Sequence, residues 1–460
     1  MSHSIFDSIN MNKISIFIKY VLSVIVCLFM MTGCVEEFEA DLPKDETHLL
    51  VVDGTICSKQ HNEFHLTWSS EIKNEIEYNG TVSYDKPYDE ALPVKGARVT
   101  ICGTDGTEIE CTEETNTGKR PKIGTYDAYS GLYEYYNSEY GYYYTSYEEE
   151  YEEFSYSSGV YSCDVPELKP DVSYYLTIEY LDDVYQSTPE KPIRTPDIET
   201  LEYFQKDSLS NVEVLLSTAL PDDPNKTSYY TWNYSETWEV RPTRTTSIYF
   251  DIESMDCKYM TKERMYPKRG WKFDHNKTII TESTVHYDGG RFSRFQMMNI
   301  PRNDERISWC YCYDLEQRAI SKAEYEYNMA CRQAGWEMGG LFTPQPSALP
   351  TNIRCLTSSK KVIGYVGCSQ NVVSKRMYID GTKISRILPK PGESIIFPDC
   401  IETDCLIMTQ NGMVLYSWSD GRQSSGGKLV TAWANPEDFD VRLLGATIIK
   451  PDYMPPFDEE

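Results

Sequence analysis

The sequence predicts a mainly β protein, with a small N-terminal β-sandwich over 47–196 and a larger β-rich region over 197–446 that contains one conspicuous helix. Three observations carry this reading. Short runs of branched and aromatic residues recur between Gly, Pro, Asn and Asp turns. In 173–180, Leu176, Ile178 and Tyr180 fall on one face at the two-residue period of a strand. Beyond residue 197 one stretch stands out as helical: Ser321 with Glu324 spells a capping box, 323–334 lacks Gly and Pro, and Gly335 supplies a stop.

The chain opens on an address rather than a fold. An apolar run at 21–31 follows Lys13 and Lys19, and it is shorter than the ~20 residues of a membrane-spanning helix. It ends at Met31-Thr32-Gly33-Cys34, where a small residue precedes a cysteine as in bacterial lipoprotein precursors. Residues 1–33 are therefore expected to be a lipoprotein signal peptide, with 1–10 an extension upstream of a true start at Met11. Cys34 is expected to carry acyl chains such as palmitate, each buried methylene contributing ~0.8 kcal/mol to membrane affinity. Residues 34–46 are acidic and read as a hydrated tether.

In the first domain, strands are expected at 48–56, 63–68, 97–102, 159–163, 173–180 and 184–187. Between them, 133–153 is an insertion dense in Tyr and Glu. Tyrosine offers rigid apolar area with a hydroxyl, so Tyr135, Tyr136, Tyr140, Tyr142, Tyr143 and Tyr144 are candidate ligand or partner contacts. The bland alternative is an acidic hairpin whose rings cover its own backbone. Pro189, Pro192 and Pro196 close the domain. Strands are then expected at 212–216, 229–240, 248–250, 278–284 and 414–418, with another at 362–366 after an irregular Gly/Pro connection. Residues 447–460 read as a C-terminal tail.

A formal charge of −27 argues against nucleic-acid backbone binding, which needs clustered Lys and Arg. Of fourteen cysteines, Cys27 leaves with the signal and Cys34 is assigned to lipid, leaving an even dozen that suits an exported chain. Cys102 with Cys111, and Cys400 with Cys405, are the local pairs that spacing allows for disulfides. Zinc knuckle spacing is absent. His61 and His65 flank Glu63, but two strand residues four apart lie about 13 Å from each other, so they read as surface histidines. No nucleophile elbow, phosphate loop or dinucleotide turn occurs. The closest local reactive grouping, 286–290, reads as a polar turn around His286 and Asp288. No catalytic residue, metal site or cofactor is expected. Scattered acids leave a surface hydrolase open, since its defining feature is a spatial separation.

Several segments together resemble the Bacteroidetes outer-membrane lipoproteins grouped as domain-of-unknown-function family 4249. They include Leu50-Val51-Val52-Asp53-Gly54-Thr55-Ile56, Pro93-Val94-Lys95-Gly96-Ala97-Arg98-Val99, Tyr174-Tyr175-Leu176-Thr177-Ile178 and Tyr185-Gln186-Ser187-Thr188-Pro189. The most specific are Gly339-Gly340-Leu341-Phe342-Thr343-Pro344, Thr351-Asn352-Ile353, Val362-Ile363-Gly364-Tyr365-Val366-Gly367-Cys368-Ser369 and Arg376-Met377-Tyr378-Ile379. Thr351 replaces a glycine common in the family, and Cys400 and Cys405 lie upstream of the family's C-terminal cysteine-rich segment. The resemblance implies an immunoglobulin-like character for the N-terminal sandwich. It also implies companionship with a TonB-dependent outer-membrane transporter, and it brings no enzymatic assignment. Val35-Glu36-Glu37 and Glu39 resemble the acidic signal that sends such lipoproteins to the cell exterior. The expected role is a non-catalytic, surface-anchored accessory for nutrient, glycan or peptide uptake; the alternative is a structural or adhesive envelope module.

Overall fold

The computed structural model describes residues 49–69, 92–121, 124–127, 132–137, 142–146, 151–336, 349–420 and 429–455. Cys34, the acidic tether, Tyr140 and the 339–346 motif lie outside the described residues. The fold is mainly β, with two short helices, α1 (Lys322–Trp336) and α2 (Glu402–Gln410). No helix among the described residues is long and apolar enough to cross a membrane.

The first region builds one sheet whose nine-strand path curls almost to closure, with a tenth short strand, Leu92–Pro93, added on Gln60–Trp68. Its order is Ile353–Cys355, Asp183–Ser187, Tyr174–Tyr180, Arg98–Gly103, Glu108–Pro121, Tyr151–Val165, Gln60–Trp68, Leu50–Cys57 and Val362–Ser369. Alternation explains why it curls around a core. In Gln60–Trp68, Asn62, Phe64 and Leu66 turn inward while His61, Glu63 and His65 face out. Leu50, Val52, Ile56, Val99, Ile101, Leu176 and Ile178 meet them in the interior. Two strands come from the far side of residue 196. Val362–Ser369 runs parallel to Leu50–Cys57 in register from Leu50 opposite Val362 to Cys57 opposite Ser369.

The two end strands are consecutive in the chain, and side chains stitch the seam between them. The Asn352 amide donates to the Val366 carbonyl at 2.9 Å and accepts from the Val366 N–H at 3.0 Å. Thr351 donates to the Gly364 carbonyl at 2.8 Å. Gly364 itself is required: at φ +121, an added Cβ would lie 1.8 Å from the Val52 carbonyl oxygen.

A second core lies between a three-strand and a five-strand sheet. The first comprises Ile198–Gln205, Val212–Thr218 and Phe295–Ile300. In the second, Gly270–His275, Tyr229–Val240, Cys310–Ile320 and Val373–Asp380 are neighbours, with Ile280–Ser283 also on Tyr229–Val240. Trp232 is fully buried against Tyr230 and Phe292, and its indole N–H donates to Gln317 at 3.0 Å. Gln317 in turn donates to the Pro196 carbonyl at 2.9 Å, so the buried amide is satisfied from both sides. A third cluster joins α2 to Ile248–Asp251 and to the sheet containing Val414–Asp420 and Leu429–Ala434, with Trp433 at its centre. The expected tail returns to this body. Thr447 bridges Trp271, and Met454 is buried beside Trp271 and Cys312.

The insertion carries its own three-strand sheet, Gly124–Asp127, Leu132–Asn137 and Tyr142–Ser146. Tyr135 stands opposite Tyr144, Tyr136 opposite Tyr143, and Asn137 opposite Tyr142.

The local cysteine pairing expected for Cys111 is corrected. Cys111 stands opposite Val99, three positions from Cys102, so the two cysteines occupy opposite faces of their strands. Cys102 meets the Thr177 hydroxyl at 3.6 Å, whereas the Cys111 sulfur faces that of Cys163 at 2.6 Å. Cys400 and Cys405 do come together, at 3.1 Å, because the first turn of α2 folds one over the other. All these cysteines are unbridged in this structure.

Candidate functional site

A candidate site lies where the barrel-like sheet meets the Tyr229–Val240 sheet and α1. The Cys310–Ile320 strand ends by delivering Arg318 to this junction, and the chain turns at once into α1. Ser321 caps that helix by accepting from the Glu324 N–H at 3.1 Å. Only half of the expected capping box forms. The Glu324 side chain turns away from the helix start and takes the Arg318 guanidinium at 2.5 Å.

The ion pair is sunk in the protein, with side-chain exposures of 17% for Arg318 and 6% for Glu324. Arg318 also reaches the Ser369 hydroxyl at 3.4 Å, and Ser369 donates to the Ala319 carbonyl at 3.2 Å. Gly367 leaves room for the pair, since a Cβ there would lie 2.7 Å from Glu324 Oε2 and 2.8 Å from Arg318 Nη1. Glu324 Oε2 itself is buried and accepts no hydrogen bond among the described residues. A carboxylate oxygen in that position favours a donor brought by something else.

A second acid closes the network. Tyr365 donates to Glu190 at 2.5 Å and sits 3.2 Å from the Ser321 hydroxyl. Burial raises the Glu190 carboxyl above its ordinary value; the Tyr365 hydrogen bond opposes that, and the nearby Glu324 charge adds to it. Burial likewise raises Tyr365, Tyr327 and Cys331.

Above this buried floor opens a cavity of about 620 Å³. Its walls carry hydroxyls and amides from Thr55, Thr231, Asn233, Asn276, Thr278 and Asn328. The ring of Tyr327, tilted against Tyr365 at 5.5 Å, supplies an aromatic surface. Asp53, Glu63, His65 and Lys277 stand at the exposed rim. Neutral donors and acceptors around one aromatic face suit a polar, hydroxyl-rich guest that fits by hydrogen bonds and ring stacking.

The sequence reading did not assemble this cavity. It singled out the tyrosine-rich insertion, and Tyr135, Tyr136, Tyr142, Tyr143 and Tyr144 lie on that separate small sheet. It recognised α1 and its cap, and it noted 362–366, but nothing in the sequence says that Arg318, Glu324, Tyr365 and Glu190 meet. His61 and Glu63 gather with Glu114, their ligand atoms all within 4.8 Å, on an exposed face. Glu114 arrives there by strand pairing and was not visible beside them in sequence. Residues 286–290 fold as two short 3-10 turns.

A search of curated proteins returned no match. Residues 35–376 match the family model described as "Domain of unknown function (DUF4249)", a span that includes the barrel-like sheet, its seam, α1 and every residue lining the cavity. The chain belongs to that family.

Proposed function

We propose that the protein is a non-catalytic accessory, anchored in the outer membrane through acyl chains on Cys34, that captures a polar nutrient at the junction cavity and works beside a TonB-dependent transporter. The observation that carries the reading is the cavity itself, with amide and hydroxyl walls, the Tyr327 ring and the buried Glu324 Oε2, which accepts no hydrogen bond among the described residues. These groups favour a glycan fragment first and a short peptide second, because a sugar offers hydroxyls to the walls and a C–H face to the ring. The immunoglobulin-like relation of the 47–196 region belongs to the same proposal and draws support from its short antiparallel strands around one apolar interior. The acidic 35–46 segment supports display on the cell exterior, with a tether long enough to hold the body clear of the headgroups.

Calorimetric titration of the purified protein with neutral oligosaccharides and short peptides tests the ligand. Saturable binding that is lost in Tyr327→Ala and Asn233→Ala is expected, and binding that survives both substitutions refutes the cavity as the site. Radiolabelled palmitate and affinity recovery from solubilised envelopes test the anchor and the partner. Label that persists in Cys34→Ser, or a wild-type protein recovered without a transporter, counts against them. The adhesive alternative is favoured by the separate tyrosine-rich sheet. It predicts that deleting 124–146 abolishes attachment to cells or polymers while leaving ligand titration intact.

A further inference from the structure

Two buried sulfurs face each other at the root of the two long strands that carry the insertion, away from the cavity. Glu108–Pro121 and Tyr151–Val165 are antiparallel neighbours, with Thr112 opposite Ser162 and Glu113 opposite Tyr161. One further step in that register sets Cys111 opposite Cys163. Directly opposed residues of antiparallel strands have Cα atoms ~4.5–5.5 Å apart, inside the ~4.4–6.8 Å range that a disulfide spans without backbone movement. Both side chains point into the interior of the barrel-like sheet, among Val99, Tyr161 and Ile101. Their sulfurs lie 2.6 Å apart. The other described thiols of this sheet have different neighbours: Cys102 meets Thr177, Cys355 meets Ser358, Cys57 reaches the Ser58 carbonyl, and Cys368 stands opposite Ile56.

We propose that Cys111 and Cys163 are joined by a disulfide that clamps, at their root in the barrel-like sheet, the two strands that carry the Tyr/Glu-rich insertion. The bond encloses the whole stretch between the two strands, and the insertion emerges from within that loop. Its formation needs an outside oxidant of the disulfide class, such as an oxidised dithiol protein. The Cys163 thiolate attacks one sulfur of that donor, whose S–S bond breaks and whose leaving sulfur takes a proton. The Cys111 thiolate then attacks the Cys163 sulfur of the mixed disulfide and expels the second donor sulfur. The chain gives up two protons and two electrons, and the donor gains both as a dithiol. Cys163 is suited to act first, because the thiol of Cys111 donates a hydrogen bond to it and lowers its pKa. The physical effect is to tie the two strands together within the barrel-like sheet, at the end of their shared ladder away from Pro121 and Tyr151, where the insertion leaves them.

The test uses the full chain purified from its native envelope without reductant and alkylated under denaturing conditions. A peptide pair joined through Cys111 and Cys163, two hydrogens lighter than the separate peptides, is the expected product. Recovery of both cysteines as alkylated thiols, or of Cys111 linked to Cys102, overturns the proposal. A second readout keeps the wild-type cysteines and places a protease site between residues 128 and 131. After cleavage, the two fragments should co-migrate on a denaturing gel without reductant and separate with it. Fragments that separate without reductant refute the clamp, and the same variant with Cys163→Ser should give that separated pattern as its control.

Discussion

Replacing Gly364 by alanine tests whether the parallel seam between Leu50–Cys57 and Val362–Ser369 holds the first sheet together. The added Cβ would sit 1.8 Å from the Val52 carbonyl oxygen and 2.7 Å from its carbon, and both are backbone atoms that cannot rotate away. The position also has φ +121, where a side chain costs ~1–3 kcal/mol before any contact is counted. Forcing a methyl into a filled space adds ~1–3 kcal/mol through displaced neighbours. The expected loss is therefore about 2–6 kcal/mol, against a total of ~5–15 kcal/mol for a native protein. Gly96→Ala separates the two contributions, because Gly96 has φ +70 and nothing within 4 Å of its Cβ position. It should cost only the left-handed conformational penalty of ~1–2 kcal/mol. The assay is urea unfolding followed by tryptophan fluorescence, with hydrogen exchange read at Val52 and Tyr365. Exchange at both amides should accelerate in Gly364→Ala and stay unchanged in Gly96→Ala. Equal destabilisation by the two substitutions would refute the argument that the Val52 backbone, and not the dihedral alone, demands glycine.

Arg318→Met should destabilise by ~3–5 kcal/mol, because it strands the Glu324 carboxylate in the interior without its cation. The double variant Arg318→Met/Glu324→Leu should recover most of that loss in denaturant unfolding; a double variant as unstable as the single one would sink the reasoning. Glu190 has a raised pKa in the folded state, so the fold holds its proton more tightly than the unfolded chain does. Its contribution is complete below the ordinary glutamate range and is lost as pH climbs above it through the folded value. Glu190→Gln should therefore flatten the decline in stability above that range, and parallel pH–stability curves for variant and wild type would contradict the assignment. Asn352→Ala should leave the Val366 N–H and carbonyl without their seam partner, at ~1–3 kcal/mol for each orphaned group. Faster hydrogen exchange at Val366, with exchange at Leu176 unchanged, is the expected signature.

Much of the strand framework was legible because its signal is local. Leu176, Ile178 and Tyr180 were expected on one face; Leu176 and Ile178 are fully buried, and Tyr180 is half-buried against the same core. Cys310–Ile320 was missed as a strand for the opposite reason. Its polar residues interrupt the alternation, yet Gln317 is buried against Trp232 and Arg318 pairs with Glu324, so both faces of the strand are occupied. Short α2 was missed as well; its spacing carries little amphipathic pattern, and Cys405 and Met408 alone are buried along it. At α1 the start was read correctly from Ser321, but the partner of Glu324 was not, because the competing cation sits on the preceding strand.

By itself the sequence determined the β character, the approximate positions of many strands, the start of the main helix, and membership in the family whose model matches residues 35–376. These follow from side-chain periodicity, capping and turn chemistry, all written within a few residues. Only the tertiary structure decided that Val362–Ser369 would complete a sheet begun at Leu50, that Cys111 would meet Cys163, and that Arg318, Glu324, Tyr365 and Glu190 would share one buried floor. Those outcomes depend on which strand edges and apolar faces find each other across hundreds of residues, and no local pattern records that choice.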